Sequence, residues 1–123
     1  MPVAMIVEDD ESIRLLYREA LQRSGFTVVL AANVNQAIKL LGEHTPDIAF
    51  VDMNMPEHLG TEVLAYIRAT PRLANVKTVM VTANTHADGL AEEYNVDLFL
   101  VKPVPLQEMI HLAQRLTGMD YEH

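Results

Sequence analysis

The sequence predicts an α/β fold in which five parallel strands are flanked by helices on both faces. Short apolar runs alternate five times along the chain with stretches of helical periodicity, and such alternation is typical of repeated βα units around a parallel sheet. The third run, residues 48–51, is apolar without interruption, as expected of a strand that helices cover on both faces. Two of the runs lead into carboxylates, at Glu8-Asp9-Asp10 and at Asp52. We therefore expect the carboxyl edge of the sheet to carry the chemistry.

The first two βα units have clear boundaries. Strand one is predicted over Val3 to Val7, and Gly25 is predicted to end the helix that follows it. Strand two is predicted over Thr27 to Leu30, with Asn33 as the N-cap of the second helix. The apolar face of the first helix is predicted to comprise Ile13, Leu16, Tyr17, Ala20 and Leu21.

The other three units follow the same pattern. Apolar runs predict the strands, residues three or four apart predict the inward faces of the helices, and Pro105 suits the first turn of the last helix. In chain order the predicted elements are strand Asp47 to Asp52, helix Gly60 to Ala69, strand Thr78 to Thr82, helix Ala87 to Tyr94, strand Leu98 to Val101 and a final helix after Pro105.

The composition restricts the classes of function. A chain of 123 residues, 50% hydrophobic and 21% charged, fits one compact domain spanning residues 1–123. The net charge of -8 argues against direct binding to nucleic acid or to an anionic membrane, because both need clustered Lys and Arg. No cysteine is present, which excludes a disulfide framework and a thiol nucleophile. The apolar run up to Val7 is too short for a signal peptide or a spanning helix, so a soluble cytoplasmic protein is expected.

Four polar residues lie at the ends of predicted strands: Asp9, Asp52, Thr82 and Lys102. Parallel strands joined by helices place their carboxyl ends at one edge of the sheet, so these side chains are expected to converge. Closely placed carboxylates repel one another unless a hard divalent cation or shared protons compensate. We therefore expect magnesium at this edge, with the backbone carbonyl of Asn54 as a further ligand.

This set of residues suits phosphoryl transfer. A phosphoryl group in transfer spreads negative charge over its oxygens and needs a cation, a hydrogen-bond donor and an in-line nucleophile. Asp52 is the best candidate for the nucleophile because its strand is central and because carboxylates form aspartyl phosphates. Lys102 would bind a phosphoryl oxygen, and Thr82 would donate its hydroxyl to another.

At these positions the sequence closely resembles the receiver domain of two-component response regulators, the CheY-like family. The resemblance covers essentially the whole chain, and five matching elements in the family's order make it specific although each element alone is weak. The matching elements are the acidic pair Glu8 and Asp9, the phosphorylation site Asp52, the metal-binding carbonyl of Asn54, the switch hydroxyl of Thr82 and the pair Lys102-Pro103.

The resemblance implies a flavodoxin-like (βα)5 fold with the strand order 2-1-3-4-5 and a site for Mg2+ or Mn2+. The metal ligands would be Glu8, Asp9, Asp52 and the Asn54 carbonyl, with Asp9 in direct contact and Glu8 acting mainly through water. The resemblance further implies a cis peptide bond between Lys102 and Pro103, which proline makes inexpensive at about 0.5–1 kcal/mol.

The resemblance also implies a signalling switch that phosphorylates and dephosphorylates itself, rather than an enzyme with a separate substrate. The phosphoryl group would come from a phosphohistidine on a sensor histidine kinase or phosphotransfer protein, or from a small phosphodonor. Phosphorylation of Asp52 would draw Thr82 inward and let Phe99 turn in behind it. The surface formed by helix four, strand five and helix five would then change and control a downstream partner or output domain.

Two other functions fit part of the pattern. An aspartyl-phosphate phosphatase of the haloacid dehalogenase type also combines a strand-tip Asp with Lys and Thr. That class needs a second Asp two residues after the nucleophile, where this chain has Asn54, so turnover would lack a general acid. A receiver-like interaction module that acts without phosphate is the other alternative, and the intact set of Asp9, Asp52, Thr82 and Lys102 argues against it.

Overall fold

The computed structural model describes residues 1–53, 60–83, 86 and 88–119. Within these residues the strands and helices alternate along the chain, and a short 3-10 helix precedes the fourth strand. The elements are β1 Val3–Val7, α1 Glu11–Arg23, β2 Thr27–Ala31, α2 Val34–Glu43, β3 Ile48–Asp52, α3 Thr61–Ala69, the 3-10 helix Pro71–Leu73, β4 Lys77–Thr82, α4 Asp88–Glu93, β5 Leu98–Val101 and α5 Leu106–Leu116.

All five strands form one parallel sheet in the order β2-β1-β3-β4-β5. The strand β3 lies at the centre, and each of its five residues is buried. This arrangement confirms the predicted α/β fold of the flavodoxin-like type, including the burial of the third strand on both faces. The order reverses direction between β1 and β3, where open α/β sheets form a crevice for ligands.

The two faces of the sheet carry separate hydrophobic cores, because successive side chains of a strand point to opposite faces. The helices α2 and α3 cover one face, and α1 and α5 cover the other. On the α2/α3 face the central strands contribute Met5, Val7, Ala49, Val51 and Met80. On the α1/α5 face they contribute Ala4, Ile6, Ile48, Phe50, Val79 and Val81.

The helix ends agree with the signals in the sequence. The side chain of Asp10 caps α1 by accepting a hydrogen bond from the Ile13 amide at 3.1 Å, and that of Asn33 caps α2 through the Gln36 amide at 2.8 Å. Gly25 follows the end of α1 with a φ of +100°, a left-handed conformation that favours glycine. Pro105 immediately precedes α5 rather than lying in its first turn.

One predicted core position is wrong. Leu16 was expected on the inner face of α1, but 48% of its surface is exposed. Tyr17 and Leu21 are the buried residues of this helix, and Leu16 instead lines a groove of about 410 Å³ between α1 and α5. The apolar stripe of α1 is therefore narrower than the sequence pattern suggested.

Among the described residues, no helix has the length and the apolar run needed to cross a membrane.

Gly60 holds the start of α3 against the end of β3. A Cβ atom at this residue would collide with the backbone oxygen of Asp52 and come within 2.9 Å of a Val51 methyl group. The backbone oxygen belongs to a central strand and has little freedom to move away. The absence of a side chain at Gly60 therefore fixes how closely α3 approaches the strand that carries Asp52.

We predict that Gly60→Ala lowers the free energy of unfolding by about 1–3 kcal/mol, because the added methyl group overpacks this contact. Urea denaturation monitored by circular dichroism measures the change. Gly42→Ala is the matched control, because Gly42 lies within α2 and a Cβ there meets nothing within 4 Å. It should leave stability unchanged or raise it by up to about 1 kcal/mol. Equal effects of the two substitutions would contradict the close approach of α3 to β3.

Candidate functional site

Three charged side chains lie on the same side of the sheet at its carboxyl edge. The backbone pairing continues one residue beyond β1 and β5, because the Glu8 amide donates to the Ala31 carbonyl at 3.0 Å and the Lys102 amide to the Thr82 carbonyl at 2.8 Å. Alternation along the strands then places Glu8, Asp52 and Lys102 on the α1/α5 face. We call Glu8, Asp52 and Lys102 the buried triad.

The members of the buried triad are in direct electrostatic contact. The Lys102 ammonium nitrogen lies 3.1 Å from Asp52 Oδ1 and 3.8 Å from Glu8 Oε1. Glu8 and Asp52 are each only 2% exposed, whereas the Lys102 side chain keeps 26% of its surface accessible. One partly exposed cation therefore lies close to two buried carboxyl groups.

The pKa of Glu8 reflects its burial and its charged neighbours. Burial raises its pKa to about 7, with the neighbouring charge of Asp52 as the next cause. The Asp10 amide and Lys102 act in the opposite direction without cancelling these effects. A carboxyl group with this pKa is largely protonated in mildly acidic solution. A proton shared between Glu8 and Asp52 then reduces the repulsion between these two carboxyl groups, which the sequence predicted.

Lys102 remains firmly protonated in this environment. Burial by itself lowers the pKa of its ammonium group, but the hydrogen bond and charge of Asp52 outweigh it, and Glu8 adds to them. The net effect is a pKa above the ordinary value for lysine. Lys102 is therefore a fixed positive charge beside Asp52 and is unsuited to act as a base near neutral pH.

The carboxylates at this edge fit a hard divalent cation. One oxygen each from Glu8, Asp9 and Asp52 lie within 4.8 Å of one another. Asp9 is exposed at the mouth of the site, whereas Glu8 and Asp52 are buried below it. Oxygen ligands of this kind are the ones that Mg2+ accepts, and Mg2+ usually retains several waters, which an open mouth allows. The donor set is thus compatible with the predicted metal.

Arg14 supports the acidic loop, although sequence analysis did not single it out. Its guanidinium donates to the backbone carbonyl of Glu8 at 2.9 Å and to that of Asp9 at 3.4 Å. The amide of Asp10 in turn donates to Glu8 Oε2 at 3.3 Å. These bonds fix the turn between β1 and α1. The only signal in the sequence is an arginine one turn into the helix after the acidic pair.

Thr82 and Phe99 lie on the opposite face of the sheet from the triad. Thr82 ends β4 and is buried, and Phe99 is partly buried against the α2/α3 core. Phe99 is the register partner of Met80, two residues before Thr82 in the same row of β4. Thr82 and Phe99 therefore share one face of two adjacent strands.

Two further predictions concern the peptide bond between Lys102 and Pro103 and the backbone carbonyl of Asn54. The peptide bond between Lys102 and Pro103 is cis, as the family resemblance implies. Asn54, predicted to offer its carbonyl to the metal, lies outside the described residues. The structure thus brings Glu8, Asp9, Asp52 and Lys102 together, with Thr82 at the end of the adjacent strand.

Comparisons with known proteins agree with this geometry. Residues 4–114 match the model of the response regulator receiver domain family. The polar-differentiation response regulator DivK of Brucella anthropi is 34% identical over 116 residues, which span 93% of this chain and 94% of DivK. The chemotaxis protein CheY4 of Vibrio cholerae has a similar structure, with a TM-score of 0.87 and 25% identity over 94% of this chain and 98% of CheY4.

A further solved structure is that of the response regulator TrrA of Thermotoga maritima in complex with Mg(2+)-BeF. Its TM-score is 0.83, with 28% identity over 94% of this chain and 99% of that chain. The chain belongs to the response regulator receiver domain family. It is a phosphorylation-based signalling switch of two-component systems, a class that is generally not a true enzyme. Receiver domains bind Mg2+ at an acidic pocket, and membership implies interaction with histidine kinases and downstream effectors.

We predict that Glu8→Gln stabilises the metal-free protein at pH 8. The folded-state pKa of Glu8 is raised above 4.5, so the folded protein binds more protons than the unfolded chain between pH 4.5 and about 7. The free energy of unfolding therefore falls as the pH rises through this range. Removing the carboxylate should recover on the order of 1–3 kcal/mol at pH 8 and almost nothing at pH 4.5.

Urea denaturation in the presence of a chelator at both pH values measures this difference. Glu43→Gln is the matched control, because Glu43 is an exposed carboxylate at the end of α2. It should change stability by less than about 0.5 kcal/mol at either pH. A Glu8→Gln protein that is no more stable than wild type at pH 8 would show that the buried carboxylate of Glu8 does not lower the free energy of unfolding.

Proposed function

We propose that Asp52 is the phosphoacceptor of this receiver domain. The observation that carries the proposal is the placement of a buried carboxylate at the end of the central strand, 3.1 Å from a protonated lysine and beside two further carboxyl groups. Phosphohistidine on a sensor histidine kinase or phosphotransfer protein would donate the phosphoryl group, and a small phosphodonor would substitute for it. Residues 1–123 would form a single domain with this function, located in the cytoplasm.

In the proposed transfer, a carboxylate oxygen of Asp52 attacks the phosphorus atom in line with the leaving nitrogen of the histidine. The bond from oxygen to phosphorus forms as the bond from phosphorus to nitrogen breaks, and the leaving nitrogen keeps the electron pair. Hydrolysis by water would later restore Asp52 and release phosphate. Both reactions would be self-catalysed by the domain, so it would act as a switch and not as an enzyme with turnover of a metabolite.

Lys102 would exchange one negative partner for another during this transfer. Before transfer its ammonium is paired with Asp52 Oδ1. Conversion of Asp52 to an acyl phosphate removes the charge of the carboxylate and adds charged phosphoryl oxygens nearby. The ammonium would follow the charge to a phosphoryl oxygen, which is possible because the Lys102 side chain is partly exposed at the mouth of the site. Thr82 would donate its hydroxyl to another phosphoryl oxygen.

Glu8, Asp9 and Asp52 would hold Mg2+, or Mn2+ in its place, with the Asn54 carbonyl as an additional ligand. When bound, the ion offsets the negative charge of the carboxylates and of the phosphoryl oxygens. The clustering of the three carboxylates within 4.8 Å supports this assignment, as does the related TrrA complex with Mg(2+)-BeF.

The structural response to phosphorylation would arise on the α2/α3 face of the sheet. Drawing Thr82 towards the phosphoryl group would open space in the α2/α3 face, and Phe99 would turn into it. Support comes from the register, because Phe99 pairs with the residue two positions before Thr82 on the same face. Repacking would change the surface of α4, β5 and α5, which would regulate a protein partner or output domain without direct contact to nucleic acid.

Incubation with acetyl phosphate tests the proposed chemistry. We predict that wild-type protein gains the mass of one phosphoryl group in the presence of magnesium and gains none in the presence of a chelator. Asp52→Asn should gain none under either condition, whereas Asp88→Asn, at an exposed carboxylate of α4, should behave like wild type. Intact-protein mass spectrometry gives the result. No gain by wild type under any condition would overturn the proposal in favour of a phosphorylation-independent module.

The residue after Thr82 should set the rate of both reactions. Ala83 is exposed directly beyond β4, where its small side chain would leave room for the phosphodonor and for attacking water. We predict that Ala83→Leu slows phosphorylation by acetyl phosphate and also slows dephosphorylation, each by about tenfold, the effect of about 1.4 kcal/mol on a barrier. Time courses of intact mass measure both rates. Unchanged rates in Ala83→Leu would mean that access to Asp52 does not pass this residue.

A further inference from the structure

Arg14 contacts the backbone of the acidic loop, residues 8–10, at every carbonyl group. Its guanidinium donates through Nη1 to the carbonyl oxygen of Glu8 at 2.9 Å and to that of Asp9 at 3.4 Å. Its backbone amide donates to the carbonyl oxygen of Asp10 at 2.9 Å. Three successive carbonyl groups therefore accept hydrogen bonds from one residue of α1, which ties the orientation of their peptide planes to the helix.

The side chains of the acidic loop differ in how they are held. The Asp10 amide donates to Glu8 Oε2 at 3.3 Å, which orients the Glu8 carboxyl group. Glu8 is also buried, whereas Asp9 is exposed at the mouth of the site. The position of the Asp9 carboxylate therefore depends on the loop backbone that Arg14 holds, because burial in a core does not constrain it.

Glu8 and Asp9 belong to the donor set that fits a divalent cation. Oxygens of Glu8, Asp9 and Asp52 lie within 4.8 Å of one another. Asp52 is carried by the central strand, whereas Glu8 and Asp9 are carried by the loop between β1 and α1. Mg2+ requires near-ideal octahedral geometry, so its affinity depends on how well the ligands from the strand and from the loop are aligned before it binds.

We propose that Arg14 is a positioning residue for the metal site and holds the acidic loop in the conformation that binds Mg2+. This inference rests on the proposed function, which assigns the metal to Glu8, Asp9 and Asp52. The positive charge of Arg14 by itself opposes the binding of a cation nearby. The two effects of Arg14 therefore differ in sign: loss of its charge favours Mg2+ binding, whereas loss of its hydrogen bonds to the loop disfavours it.

Arg14→Met tests this role because methionine keeps an unbranched side chain on α1 and removes the guanidinium. The affinity for Mg2+ should fall about tenfold, the lower end of the range typical for groups that orient metal ligands. Competition against Mn2+, followed by electron paramagnetic resonance of the free Mn2+ ion, measures the affinity without any phosphoryl transfer. Each protein is measured at a temperature at which circular dichroism shows it to be folded.

Arg23→Met is the matched control, since it removes the same charge from the exposed last turn of the same helix. Its affinity for Mg2+ should equal that of wild type or exceed it slightly. An affinity of Arg14→Met that equals or exceeds that of wild type would overturn the inference, because the charge of Arg14 would then be its only effect on the metal.

The backbone carbonyl 13C resonances of Glu8 and Asp9 report the two guanidinium hydrogen bonds in the metal-free protein. Arg14→Met should shift both resonances, and Arg23→Met should leave them in place. Arg14→Lys, a milder variant that keeps the charge, should also shift them, because an ammonium group does not reproduce the planar guanidinium. Resonances that move in a variant whose Mg2+ affinity stays at the wild-type value would overturn the inference.

Failure of the proposed function gives a different pattern of results. A wild-type protein that binds Mg2+ but accepts no phosphoryl group from acetyl phosphate would defeat the proposed function. The effect of Arg14→Met on the Mg2+ affinity would then still decide the inference. A wild-type protein that binds no Mg2+ would overturn the inference together with the assignment of the metal ligands.

Discussion

Two carboxyl groups, those of Glu8 and Asp52, are buried side by side at the edge of the sheet, and the Lys102 ammonium offsets their repulsion. Burial of an ionised carboxylate is costly unless a partner of opposite charge compensates it, and removal of one partner from such a group leaves an uncompensated charge. Burial and the charge of Asp52 raise the pKa of Glu8, although Lys102 acts in the opposite direction. The carboxyl oxygens of Glu8, Asp9 and Asp52 form a donor set that suits a hard divalent cation.

Alternation of side chains along the strands places the residues of the edge on two faces of the sheet. Glu8, Asp52 and Lys102 lie on the α1/α5 face, whereas Thr82 and Phe99 lie on the α2/α3 face. Thr82 and Asp52 both lie at the carboxyl edge, because they end the adjacent strands β4 and β3. Under the proposed function, a phosphoryl group on Asp52 would contact Lys102 and Thr82, and the response would pass from Thr82 to Phe99.

Much of the fold and of the site could be predicted because both depend on local signals and on one rule of topology. Apolar runs marked the strands. The rule that parallel strands end at the same edge of a sheet predicted that Asp52 and Lys102 lie close together, although they are 50 residues apart in the sequence. The proposed roles of these residues follow from the chemistry of their side chains and from the family resemblance.

Features that depend on distances between elements could not be predicted. The pattern of α1 could not show that Leu16 borders a groove, because that depends on how α5 packs beside it. The hydrogen bonds from Arg14 to the backbone and the raised pKa of Glu8 likewise depend on how separate elements pack against one another. Gly60 could be recognised only once the position of the Asp52 backbone oxygen was known.

Locating the phosphoryl group shows directly whether Asp52 is the acceptor. Sodium borohydride reduces an aspartyl phosphate to homoserine, so peptide mass spectrometry after treatment with acetyl phosphate, magnesium and borohydride identifies the acceptor. Conversion at Asp52, with the yield greatly reduced in Lys102→Ala, is the result that our account predicts. Conversion at another carboxylate, or an equal yield at Asp52 without Lys102, would contradict the role given to the buried triad.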